Sequence, residues 1–417
     1  MTVWRLKKGA DRRLRQGHPW VFASEIAHST KEILPGDVVE VRDALDHFLA
    51  FGYAHPSSQI CFRKLTARVK ETDVLSVDFF KRRLRQARDH RARSGWSKFS
   101  HRWLYAEADG TPGLIIDLFL TASEGWLAVV QASTAGMDRA LPELYEALKS
   151  FEHELGLLSV VEAPTSRARQ LEGLKVGEKK LVFGQIGELR KRQIVLINGL
   201  KLECDFLGGQ KTGFFLDQQW NARQLAEMLR AQFAKREEPV RVLDICTYVG
   251  QWAAQSAHAL RIAETPAHVT LLDVSKDALA LAEANLTGLA ERVDTLCADA
   301  LESLGDAPET SFDVVICDPP AFVKKKADME AGARAYVKLN REALRRVKPG
   351  GLMVASSCSG RVTSADWRQI LVDAGQKAGR MFQQVALGGH GPDHPLRPEF
   401  PEGEYLKCVL GRVDYPF

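Results

Sequence analysis

Two apolar runs end on groups able to do chemistry. Residues 314–323 read VVICDPPAFV, a buried-strand pattern that stops on Asp318, passes through Pro319 and Pro320, and reaches Phe322. An acid at the edge of a strand, followed by two prolines that donate no hydrogen bonds and bar a helix, makes a rigid lip for a flat ring. Forty residues on, a second apolar strand over 352–356 runs into SSCSG and offers Cys358. A thiolate there can add to C6 of a pyrimidine and turn the unreactive C5 into an enamine carbon able to attack a methyl group. Asp318 would then bond the N3/N4 edge of the ring. Strand alternation turns Cys317 away from whatever Asp318 faces, so Cys358 is expected to be the only cysteine at a strand end facing this pocket. Its competing role is that of a small core residue.

These runs need a scaffold. From Val240 onward strands and helices alternate: VRVLDI, a helix over 251–263, VTLLDV, a helix over 276–289, VDTLCAD, FDVVICD, a helix over 331–347, then GGLMVASS. Such alternation specifies a parallel, doubly wound sheet, and ligands bind such sheets at the carboxyl ends of the strands. Here those ends carry Asp244, Asp273, Asp299 and Asp318. A carboxylate at a buried strand end is costly without a donor to bind, although each acid alone could instead cap the following helix. Asp273, followed by Val274, suits a pair of ribose hydroxyls, and Asp299, beside Ala300, suits an adenine amino group. The first loop, DICTYVGQWA, contributes Thr247, Tyr248 and Gly250 but only that one glycine. A dinucleotide pyrophosphate needs closer backbone approach than this loop allows, which disfavours a nicotinamide dehydrogenase. S-adenosylmethionine, whose ammonium and sulfonium are cationic, fits the acidic surroundings.

Upstream, residues 1–72 form short β-rich runs broken at turns such as Pro35-Gly36-Asp37, a pattern for a small barrel. Residues 1–100 hold 20 Lys and Arg against 11 Asp and Glu, and the rest 37 against 42. A basic front suggests an anionic partner at the N-terminal end, with a merely solvated face as the plain alternative. LKKGADRRLRQGHPWVF sets Arg12, Arg13 and Arg15 beside His18, Trp20 and Phe22. Those rings either stack on bases or fill a core. Residues 73–190 read as an α+β domain: a helix over 76–93, a turn at Asp109–Gly113 before a strand, the strand GWLAVVQAS, a helical segment over 138–156 with Pro142 in its first turn, LSVVEAP, and strands ending near Leu189. Residues 191–417 open on a hairpin with Asn198-Gly199 at its turn, followed by a Gly-rich loop and a helix beginning near Asp217, a candidate N-cap. Two final strands, QQVALG and YLKCVLGRV, are joined without a helix and must be antiparallel.

Seven cysteines without close pairs or Cys-x-x-Cys spacing indicate neither a disulfide framework nor a metal site. No apolar run approaches a membrane span, and the first twenty residues are too basic for a secretory signal, so cytoplasmic residence is expected.

Asp-Pro-Pro before an aromatic resembles the motif of methyltransferases acting on exocyclic amino groups, from which Ala321 and Cys358 depart. The full set, LKKGADRRLRQGHPWVF, EADGTPGLIID, KTGFFLDQ, DICTYVG, CDPPAFVKKK, SSCSG and DHP with PEGEYLK, resembles in order the bacterial 23S rRNA cytosine-5 methyltransferases of the large-subunit methyltransferase I type. The resemblance spans essentially the whole chain. It implies a PUA-like RNA-binding domain over 1–72, a central α+β domain over 73–190, and over 191–417 a Rossmann-like class I methyltransferase domain with a seven-stranded, mostly parallel sheet. It implies S-adenosylmethionine as cofactor, Cys358 as nucleophile, and Phe214, Asp217 and Gln218 beside the cofactor. Ribosomal RNA is the partner it implies, with no membrane, and a homodimer is left open. The chain departs from the family at Gln219, where arginine is common, and at Val249-Gly250-Gln251, where glycine is more frequent. Two rivals stand: an amino-group methyltransferase on guanine or adenine, and an RNA-binding protein with a vestigial methyltransferase domain.

Overall fold

Hydrophobic alternation sorts the chain into two bodies, each with its own interior. A computed structural model describes residues 2–27, 33–122, 125–184, 193–209, 212–304 and 307–417. One compact unit comprises Met1–Leu196, Asp205–Leu216 and Pro392–Gly403; the other comprises Ile197–Cys204, Asp217–Gly391 and Glu404–Phe417.

The first unit contains two five-stranded sheets. Thr2–Arg5 (β1), Trp20–Phe22 (β2), Val38–Arg42 (β3), Phe48–Ala54 (β4) and Ile60–Thr66 (β5) are ordered β1-β3-β4-β5-β2. Trp4, Val21, Val39, Val41 and Phe62 fill its interior. His101–Tyr105 (β6), Leu114–Leu120 (β7), Trp126–Ala132 (β8), Leu157–Glu162 (β9) and Lys180–Phe183 (β10) lie in sequence order across the second sheet. Helix α1, Val77–Arg93, starts where the Ser76 hydroxyl accepts from the Phe79 amide, and it buries Phe79, Phe80, Leu84 and Ala87. Leu141–Lys149 (α2) does carry Pro142 in its first turn, but the expected continuous segment is three helices, over 135–139, 141–149 and 152–155. One apolar core runs from Phe51 and Tyr53 through Trp103 to Phe151, so the interior is continuous across residue 72. The Tyr53 hydroxyl, buried within it, donates to the Pro112 carbonyl at 2.6 Å. The strand end expected near Leu189 lies outside the described residues.

The hairpin strands Gln193–Ile197 (β11) and Leu200–Cys204 (β12) precede the sheet of the second unit. Asn198 and Gly199 take φ of 49° and 85°, the positive values that a tight two-residue turn demands. Its sheet comprises Val240–Ile245 (β13), Ala267–Asp273 (β14), Arg292–Cys297 (β15), Phe312–Cys317 (β16), Val347–Ser357 (β17), Met381–Gly388 (β18) and Lys407–Asp414 (β19), ordered β15-β14-β13-β16-β17-β19-β18. The β17–β19 and β18–β19 pairs are antiparallel and the others parallel, as the helix-free connection requires.

Side chains on this sheet alternate between two cores. Val242, Val314, Ile316 and Val354 pack with Gln219–Gln232 (α3), Gln251–Ile262 (α4) and Lys276–Leu286 (α5). Leu243, Val315, Cys317 and Met353 pack with Met329–Arg346 (α6) and Ser364–Ala378 (α7). Helices on both faces make the sheet doubly wound. Strand–helix alternation alone does not predict α7. Its start is nonetheless written in Thr363 and Asp366, whose side chains cap each other's amides, and Trp367, Ile370, Leu371 and Ala374 supply its buried stripe. No helix among the described residues is long and apolar enough to cross a membrane.

Candidate active site at the carboxyl ends of the strands

Asp244 is the penultimate residue of β13 and is wholly buried. Its Oδ2 accepts from the Thr247 hydroxyl at 2.7 Å and the Ala253 amide at 3.2 Å, while Oδ1 has no hydrogen-bond partner among the described residues. Burial, helped by the charges of Asp318 and Asp273, pushes this carboxyl up to about 7. The loop after it turns through left-handed conformations at Cys246 (φ 62°), Tyr248 (φ 51°) and Gly250 (φ 77°). Side chains rarely adopt such angles, and held ones cluster where a ligand is clamped. The loop's hydrogen bonds hold them: the Tyr248 amide donates to Asp273 Oδ2 at 2.9 Å and the Thr247 amide to the Leu272 carbonyl at 3.1 Å. At Gly250, which caps α4, an added Cβ would stand 3.0 Å from the Ala282 side chain of α5.

Asp273 closes β14, and its Oδ1 accepts from the Ser275 amide at 3.0 Å. Val274 beside it is exposed, an apolar surface next to an oriented acid. Asp299 stands exposed beyond β15 with Oδ1 on the Leu301 amide at 2.9 Å, and Ala300 is buried. No helix cap is formed by any of these three acids: Gly250 caps α4 and Ser275 caps α5.

Asp318 is held from two sides. Gln218 Nε2 donates to its Oδ1 at 2.9 Å and to the Ser356 hydroxyl at 2.8 Å, and Trp252 Nε1 donates to its Oδ2 at 3.0 Å. Gln218 is itself oriented by Asn221 Nδ2 at 2.7 Å, and Asn221 Oδ1 accepts from the Gly389 amide at 2.8 Å. The ends of β16, β17 and β18 and the start of α3 thus share one network. The expectation that Asp217 caps α3 is corrected: Gln218 occupies the N-cap position, and Asp217 lies in a 3₁₀ turn over 216–218. Asp217 Oδ2 instead accepts from the Tyr405 hydroxyl at 2.6 Å. Phe214, buried, belongs to the first compact unit, while Asp217 and Gln218 belong to the second.

Cys317 ends β16 inside the core, and three further cysteines stand at carboxyl ends of strands in this sheet. Cys246 follows β13, Cys297 ends β15 and is exposed, and Cys358 follows β17. Burial pushes the Cys246 thiol far up, and Asp273, Asp318, Asp244 and Asp299 all add to this, so it stays protonated and a poor nucleophile. Cys358 has a cationic neighbour in Lys407, whose ammonium donates to the Ser359 carbonyl at 2.6 Å. The loops after β16 and β17 are tied together through Ser359, whose Oγ accepts from the Val323 amide at 3.2 Å and bonds the Tyr336 hydroxyl at 2.8 Å. Phe322 packs on the Tyr336 ring at 4.6 Å. Cys317 is buried among the α6 and α7 side chains, whereas Asp318 meets Trp252 of α4.

The arrangement fits a cationic, hydroxyl-bearing cofactor. The buried Asp244 has an oxygen without a donor, and Asp273 is fixed by two amides with lone pairs to spare. Sequence reasoning missed Trp252, Asn221, Ser356, Tyr336 and Lys407. Their only sequence trace is an indole at the first turn of a helix after the loop, and a lysine at the head of the last strand.

Part of the N-terminal basic run is engaged within its own unit. Arg15 pairs with Asp11 and with Asp43 at 2.6 Å, and Arg13 lies over the Phe22 ring at 4.8 Å. Trp20 donates to Glu107 at 2.9 Å and meets Phe400 edge-on at 4.7 Å, so it packs rather than standing clear for a base. By contrast, Lys324, Lys325, Lys326 and Arg361, on the loops after β16 and β17, are exposed and make no ion pair among the described residues.

A PUA-like domain family matches residues 5–67, and a methyltransferase domain family matches residues 242–351. Over the whole length the chain is similar to the ribosomal RNA large subunit methyltransferase I of Photobacterium profundum (35% identical, covering 96% of this chain and 97% of that one). The protein of the same name from Cronobacter sakazakii is 32% identical over 96% and 97% of the two chains. The ribosomal RNA large subunit methyltransferase of Deinococcus radiodurans is 31% identical over 98% and 97%. Among solved structures, a Streptococcus mutans protein assigned to the SAM-dependent methyltransferases shares the fold, with a TM-score of 0.77 and 18% identity over 99% of this chain and all of that one. Conserved length, domain order and sequence together place it: the chain belongs to the ribosomal RNA large subunit methyltransferase family.

Proposed function

We propose that the protein forms 5-methylcytosine in 23S ribosomal RNA, in the cytoplasm, by covalent catalysis through Cys358. The cofactor is S-adenosylmethionine, which when bound supplies the methyl group. Asp244 and Asp273 would hold its ammonium and ribose hydroxyls, and Asp299 its adenine edge. On the RNA side, the Cys358 sulfur adds to C6 of the ring, which places electron density on C5. Once C5 is methylated, its proton leaves to a base and the C6–S bond breaks, returning the thiolate. Asp318, fixed by Gln218 and Trp252, orients the base beside the rigid Pro319-Pro320 lip, with Phe322 nearby for its face.

The observation that carries this reading is the pairing of strand ends. β16 and β17 are neighbours in the sheet, so the acid and the cysteine emerge side by side, and Cys358 has a lysine beside it where Cys246 is surrounded by carboxylates. The exposed Lys324–Lys326 run and Arg361 rim the same strand ends, as phosphate contacts flanking a target base require. The test is Cys358→Ala, assayed for methyl transfer to ribosomal RNA from a strain lacking the protein, with the product nucleoside identified by mass spectrometry. Transfer should fall below detection with 5-methylcytidine absent. An unimpaired variant would overturn covalent catalysis and favour an amino-group acceptor held at Asp318-Pro319-Pro320.

A further inference from the structure

Lys407 opens β19 directly opposite Ser357 at the end of β17, and only 6% of it is exposed. Its ammonium donates to the carbonyls of Ser359 at 2.6 Å and Tyr405 at 2.8 Å. That uses two of three N–H bonds. Both acceptors are neutral, and no carboxylate lies within ion-pair distance among the described residues. A buried cation without an anion is expensive, and ordinarily it is given a partner. The group the fold sets beside it is Cys358, one residue from each of Ser357 and Ser359, to which Lys407 is joined by strand pairing and by hydrogen bond.

We propose that the Lys407 ammonium is the charge partner of Cys358, holding its sulfur as the thiolate before it attacks the ring and again when it leaves. This rests on Cys358 being the nucleophile. Burial lowers the Lys407 amine to about 8, and the leading opposing influence is Cys358, ahead of Glu404 and Asp366. The other groups around the pair act on Lys407 less than Cys358 does or carry no charge: Glu404 accepts from the Ser364 hydroxyl at 3.1 Å, Asp366 caps α7, and burial keeps the Tyr336 phenol neutral. In balance, the thiol proton goes to solvent as the ion pair forms, the sulfur electron pair makes the S–C6 bond, and that pair returns to sulfur when the bond breaks. Lys407 keeps its three protons throughout. It is a positioning residue, since it acts through Cys358.

The experiment alkylates the full-length protein with iodoacetamide across pH 5–10 and follows the Cys358 peptide by mass spectrometry, with neither RNA nor methyl transfer involved. Lys407→Met should raise the alkylation midpoint by about 1 to 3 pH units, and Lys407→Arg should restore most of it because the cation is kept. Equal midpoints in wild type and Lys407→Met would overturn the proposal. So would a wild-type midpoint at or above the ordinary thiol value of about 8.5, a result that needs no variant to fold. The nucleophile reading fails separately, on an active Cys358→Ala.

Discussion

Asp244 sets a stability–pH slope that one atom's change should erase. In the folded chain it keeps its proton to about pH 7, against an ordinary value of 3.8. Between those limits the folded state binds more protons than the unfolded one, so stability falls as pH rises from about 4 to about 7 and then levels off. A gap of about three units, at about 1.4 kcal/mol each, sets an upper bound of roughly 4 kcal/mol. Asp244→Asn keeps an oxygen to accept from Thr247 and Ala253 and places an amide where Oδ1 has no partner, so packing is preserved. The variant should match wild type near pH 4 and exceed it at pH 8. If relaxation halves the bound to about 2 kcal/mol, the Tm gain at pH 8 is about 4–8 °C. Thermal melts at half-unit intervals read the slope directly. Isothermal titration with S-adenosylmethionine supplies the second arm: wild-type affinity should rise through pH 7 as the carboxylate ionises to meet a cation, and the variant should bind weakly at every pH. Superimposable stability profiles for the two proteins would refute the reasoning.

Two further outcomes follow from the same contacts. Trp252→Phe removes one donor to the Asp318 carboxylate, a charge-assisted bond worth about 1.5–3 kcal/mol, and should slow single-turnover methyl transfer about 10- to 100-fold; a rate within about threefold of wild type would show that Asp318 needs no such restraint. Arg91→Met removes the fully buried guanidinium that donates to the part-buried Asp109 at 2.7 and 2.8 Å, leaving that carboxylate only the Tyr105 amide among the described contacts, and should cost about 3 kcal/mol of first-unit stability in denaturant unfolding; a near-neutral change would contradict the pairing.

The second unit was the more legible half of the chain. Alternating strands and helices announce a doubly wound sheet because each strand is buried on both faces and each helix on one, and the acids at the strand ends stand out against such apolar runs. Position along a strand also separated Cys317 from Asp318. What escaped was whatever depends on which strand lies beside which. Lys407 stands out because β19 inserts between β17 and β18, and Cys246 is disqualified by its burial together with acids from four strand ends. Helix α7 is hard to read for a plainer reason: polar residues outnumber the apolar ones over 363–366, and only the Thr363–Asp366 pair marks its start. The N-terminal arginines show a different limit, since the sequence does not say which of them an acid engages: Arg15 takes both Asp11 and Asp43.

The excursion of residues 392–403 into the first unit has a consequence for synthesis. Arg91 is completed by the Asp393 carbonyl, and the Arg102 amide by the Asp393 carboxylate, across 302 and 291 residues of chain. A ribosome moving at about 5–20 residues per second needs roughly 15–60 s to cover that interval. The N-terminal body therefore cannot finish folding as it emerges; it must wait, incomplete at α1 and β6, until the enzyme that it belongs to is almost wholly made.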